Sequence, residues 1–169
     1  DLKFTLTALA EADRIVAIDK VLVYYRTNHG TSLQQTKDND PTCICDALSG
    51  LKTELVSRGL FENLKTPYYT VVAKNLLYNL RTLHSRQAFE TLYRHIKTFL
   101  AEELHLITEA PETFIGFSCD KDREEFVDIY RLEVDDYMCK YELFGMKKPV
   151  DIVKEEENQV NDPPPPTKN

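Results

Sequence analysis

The side chains whose types suit chemistry gather near the N-terminal end of this 169-residue chain. Asp1 offers a carboxylate, Arg26 a guanidinium, His29 an imidazole and Ser32 a hydroxyl. A guanidinium fork matches the paired oxygens of a phosphate, and an imidazole nitrogen is a competent ligand for a divalent ion such as Mn. Each of these residues also has a purely structural use. A carboxylate at a helix start accepts hydrogen bonds from the exposed N–H groups there. A lone His in a polar loop is ordinarily solvated, and loop residues act only when a scaffold aims them. Ser32 suits the stabilisation of a turn better than nucleophilic attack.

The other polar clusters carry less. Cys43 and Cys45 lie two apart on a helical stretch and so point to different faces. His84, His95 and His105 share no ligand-like spacing with Cys or carboxylates. No Gly-rich phosphate loop, Gly-x-Ser-x-Gly elbow or His-Glu-x-x-His helix occurs in the sequence. The formal charge of -7 argues against a nucleic-acid partner, because phosphate binding needs clustered Lys and Arg. Four irregularly spaced cysteines fit neither a disulfide framework nor a four-thiolate zinc site, so a reducing cytoplasm is expected. Charges interrupt every apolar run well before the ~18 residues that a membrane span needs.

These residues must be held by elements that the hydrophobic pattern outlines. Leu2, Leu6 and Leu9 recur at helical spacing between Asp1 and Ala12. Arg14 to Ile18 and Val21 to Arg26 are β-branched and aromatic, which predicts two short strands joined at Asp19-Lys20. Thr27 to Asp40 is polar and aperiodic, a loop. Asp40-Pro41 signals a helix start, followed by the stripe Ile44, Leu48, Leu51 and Leu55 and by Gly59 as a stop. Thr66-Pro67 repeats the start signal ahead of Val72, Leu76, Leu80 and Leu83. Ser85 can cap a further helix carrying Phe89, Leu92, Ile96 and Phe99. The stretch from Leu106 to Cys119 is irregular. From Asp120 an acidic first turn opens a last helix that the pattern extends through Val134, Tyr137 and Tyr141 to Gly145. The acidic Glu155 to Glu157 and the prolines 163–166 read as a solvated tail.

The order of the opening segments carries a resemblance. Asp-Leu-Lys-Phe-Thr-Leu, then Ile-Val-Ala-Ile-Asp, then Val-Leu-Val-Tyr-Tyr-Arg-Thr-Asn-His-Gly-Thr-Ser-Leu resembles the end of the catalytic domain of bacterial family 2 glycosyltransferases. There an acidic pair opens a helix, a short strand follows, and a Tyr-x-Tyr-Arg strand leads into a Gly-Ser loop. The resemblance spans residues 1–35. It implies a GT-A fold and inverting transfer of a sugar from a nucleotide-sugar donor. Asp1 matches the last acidic residue of the pair, the general base that takes the acceptor hydroxyl's proton, because an alcohol attacks well only as that proton leaves. By the same resemblance His29 would help hold a divalent metal, Mn or Mg, and Arg26 would contact the diphosphate.

Two parts of the family pattern are missing from this sequence: the Glu before Asp1 and the paired aspartates that hold the metal. Without them the leaving diphosphate has no source of charge stabilisation, so this chain alone is expected to be inactive and to hold no cofactor. With no initiator Met and with Leu2 and Phe4 at its head, it reads as a piece of a longer protein. The expected architecture is mainly α, an α+β fragment. Residues 1–35 end a GT-A-like α/β layer with two short strands; 36–145 form a bundle-like helical appendage; 146–169 are a flexible tail. Through its parent, the chain would meet a nucleotide-sugar donor and a glycan or lipid-linked acceptor in surface-polysaccharide synthesis, in the bacterial cytoplasm at the inner face of the membrane. The appendage can also pair with a second copy of the chain. The alternative is a non-catalytic helical module for protein interaction or oligomerisation.

Overall fold

The computed structural model describes residues 2–24, 37–102, 116–117 and 119–146. They contain six α-helices and no strand: α1 (Leu2–Glu11), α2 (Cys43–Ser57), α3 (Phe61–Arg81), α4 (Arg86–Glu102), α5 (Asp120–Arg131) and α6 (Val134–Lys140). The protein is mainly helical, as the sequence predicts. The chain divides into two compact units, residues 1–131 and residues 132–169.

In the first unit α3 is the central element, packing against α2, α4 and α5, while α1 lies on α2. The apolar stripes explain why. Leu48, Leu51 and Leu55 of α2, Val72, Leu76 and Leu80 of α3, and Phe89, Leu92 and Ile96 of α4 are buried, and each set repeats at three- and four-residue intervals. Phe126 and Ile129 bring α5 into the same core. Burying side chains of this size stabilises the unit by about 1.5–3 kcal/mol each, before the cost of ordering the chain.

Caps and turns close the stripes. Gly59 takes the left-handed conformation, φ 69°, and Leu60 N–H donates to Leu55 O at 2.9 Å, ending α2. Ser85 Oγ accepts from Ala88 N–H at 3.1 Å, so the expected cap of α4 is present. Asp38 adds to it, its carboxylate accepting from the N–H groups of His84 and Ser85 at 3.1 and 2.7 Å. Next to it Lys37 Nζ donates to Thr82 Oγ1 at 3.0 Å and sits 4.2 Å above the Tyr78 ring. Residues 37 and 38 therefore fasten the turn between α3 and α4.

The structure departs from the sequence reading in four places. The two strands predicted at Arg14–Ile18 and from Val21 do not form: residues 12–24 have no regular secondary structure. A two-stranded piece is marginal in water without a covering layer, and nothing among the described residues covers this one. α2 begins at Cys43, with Thr42 before it, rather than at Pro41. α3 begins at Phe61, before the Thr66-Pro67 signal, so Pro67 lies inside it. A Pro at an interior position costs about 3 kcal/mol relative to Ala. Buried Phe61, edge-on to Tyr68 with ring centres 5.5 Å apart, anchors the turn that Pro67 weakens.

The fourth departure is the last helix, which is two. Glu133 is extended, φ -79° and ψ 162°, and separates α5 from α6. The break places Glu133, Asp135 and Asp136 at a new helix N-terminus, where the dipole favours negative charge; in one continuous helix they would fall in its interior. In the second unit Val134, Tyr137 and Met138 are buried, and Tyr137 and Tyr141 meet with ring centres 4.6 Å apart. α6 ends at Lys140, before the predicted stop at Gly145, and Glu142, Phe144 and Gly145 take positive φ in the turn that follows. Of the predicted loop from Thr27 to Asp40, Lys37–Asn39 form a short 3-10 turn and residues 27–36 lie outside the described residues; so do the tail at 146–169, apart from Met146, and most of the irregular stretch after Leu106.

Candidate functional site

Asp1, Arg26 and His29 lie outside the described residues. What the structure gives is the helix that follows Asp1 in sequence and the chain that runs toward Arg26. α1 starts at Leu2, one residue after Asp1, as the periodicity of Leu2, Leu6 and Leu9 predicts. Its buried residue is Thr7, however, and Leu9 is 47% exposed. Lys3 and Glu11, at the two ends of α1, reach charged side chains of α2.

Charges join α1 to α2. Lys3 Nζ lies 3.2 Å from Glu54 Oε2, and the Arg58 guanidinium bonds to Glu54 Oε1 at 2.7 Å and to the Glu11 carboxylate. Hydrogen bonds from Arg58 and then Lys3 hold the Glu54 carboxyl below its ordinary range. Bonds to Glu11 and Glu54 push the Arg58 guanidinium up. Gly50 stands beneath this contact: a Cβ there would meet the Lys3 stem at 3.6 Å, ordinary van der Waals distance. Sequence reading did not single out these residues. The spacing of Glu54 and Arg58, four apart with the acid first, is the signal that marks half of the set.

Beside the charged contact lies an apolar cleft of about 220 Å³, lined from α1 by Leu6, Leu9 and Ala10, from α2 by Leu51 and Leu55, and from α3 by Leu64, Pro67, Tyr68 and Val71. The Tyr68 hydroxyl donates to Leu48 O at 3.1 Å. Leu6 and Leu9 of the predicted apolar stripe of α1 thus line this cleft.

After α1 the chain from Ala12 to Tyr24 displays apolar side chains. Val16, Val21, Leu22 and Val23 are 74%, 70%, 71% and 77% exposed, and Tyr24 is 90% exposed. Nine of the twelve large hydrophobic residues described as exposed fall between Phe4 and Tyr24. Scattered exposed apolar residues are ordinary; here they are concentrated in one short stretch of the chain.

Elsewhere the polar groups serve structure. Arg81, at the C-terminus of α3, grips Glu125 at 2.5 Å and Asp122 at 2.7 Å on α5. Glu125 is buried, and the Arg81 hydrogen bond lowers the Asp122 pKa. Burial pushes the Cys45 thiol up to about 12, which leaves it protonated and inert; Cys43 is exposed, and its thiol is also raised, by partial desolvation and by Asp40. Among the described residues no three His, Cys, Asp or Glu side chains gather as a metal site, and no helix is long and apolar enough to cross a membrane.

Comparison with protein-family models, with curated proteins and with solved structures finds no match to this chain.

Proposed function

We propose that this chain forms the acceptor-side end of an inverting, family 2 type glycosyltransferase, together with a helical appendage. The observation that carries the reading is the exposed stretch 14–24. Its residues are β-branched and apolar on alternate and adjacent positions, the pattern of strands covered on both faces, and they stand bare here. The resemblance of residues 1–35 supplies what would cover them: the sheet of a GT-A-like domain, into which Arg14–Ile18 and Val21–Arg26 would pair as strands.

In the whole enzyme Asp1 would act as the general base on the acceptor hydroxyl. Arg26 would contact the donor's diphosphate, and His29 would assist in holding a Mn or Mg ion brought mainly by the missing aspartates. The donor is a nucleotide sugar and the acceptor a glycan or lipid-linked glycan, met in the bacterial cytoplasm at the inner face of the membrane. The paired aspartates of the family pattern are missing from this sequence, so this chain alone is expected to be inactive. Calorimetry with nucleotide sugars and Mn tests the reading: a chain extended N-terminally through the missing half binds donor, and this chain does not. Lack of binding by the extended chain would remove the transferase reading.

A second reading keeps one observation of its own. Helices α2 to α5 share a core to which residues 12–24 contribute nothing. Such a body can serve as a non-catalytic interaction or oligomerisation module, with the apolar stretch as its docking segment. An extended chain that binds a partner or itself but no donor would favour it.

A further inference from the structure

We draw no further inference here: the strongest candidate, the apolar cleft between α1, α2 and α3, carries no proposal, because nothing among the described residues shows what covers it.

Discussion

Replacing Val16, Val21 and Val23 together by Thr should have opposite consequences in two versions of the protein. Thr matches Val in shape and keeps its preference for extended backbone, so the substitution adds three hydroxyl groups and little else. In this chain the three valines are 74%, 70% and 77% exposed. Surface changes of that kind shift stability within about 0.5 kcal/mol each, so the urea midpoint should stay nearly where it is. In a chain extended through the proposed sheet the same positions become strand residues between packed layers. There a hydroxyl without a partner costs about 1–3 kcal/mol, and three such sites cost roughly 3–9 kcal/mol, a large share of a domain's whole stability. Urea unfolding of both chains, with and without the triple substitution, measures the difference. Equal, small shifts in the two chains would refute the idea that residues 14–24 are strands awaiting a sheet.

Other expectations concern the helical body. Leu48→Ala, at a position with no exposed surface, should cost about 2–5 kcal/mol in urea unfolding, because the surrounding helices close only part of the space left. Asp122 is held ionised by Arg81, so its folded pKa lies below its unfolded one; the stability it adds is complete above about pH 4 and is lost as pH falls through the folded value. Asp122→Asn should therefore cost under about 1 kcal/mol at neutral pH and flatten the acid limb of the stability profile below pH ~4, measured by urea unfolding across pH. Cys45, buried and shifted up to about 12, should resist iodoacetamide in the folded protein and react once urea unfolds it, as mass spectrometry of the alkylated peptides would show.

Much of the helical body was legible because its signals are local. The stripe Leu48, Leu51 and Leu55 and the run Phe89, Leu92 and Ile96 are read from spacing alone, and the Ser85 cap sits where its residue type predicts. The start of α3 was hidden because Thr66-Pro67 imitates a helix N-terminus, while the real start depends on Phe61 meeting Tyr68 across two turns. The break before α6 has no Gly or Pro to announce it; three acids near one point are the available hint. The strands illustrate a different limit. Ile15 to Tyr24 have the composition of strands, but a strand exists only with a partner, and pairing is a property of the sheet rather than of the segment. At the candidate site, periodicity located α1 but not its charged face, because Lys3 and Glu11 acquire meaning only opposite Glu54 and Arg58.

The central claim, that residues 1–35 complete an inverting glycosyltransferase, is tested most directly by turnover of a nucleotide sugar with Mn by the N-terminally extended chain and by its Asp1→Asn variant. The account predicts transfer by the extended wild-type chain, a loss of kcat of roughly a hundredfold or more in Asp1→Asn with donor binding retained, and no transfer by the 169-residue chain. Transfer that survives Asp1→Asn undiminished, or none by the extended wild-type chain, would contradict it.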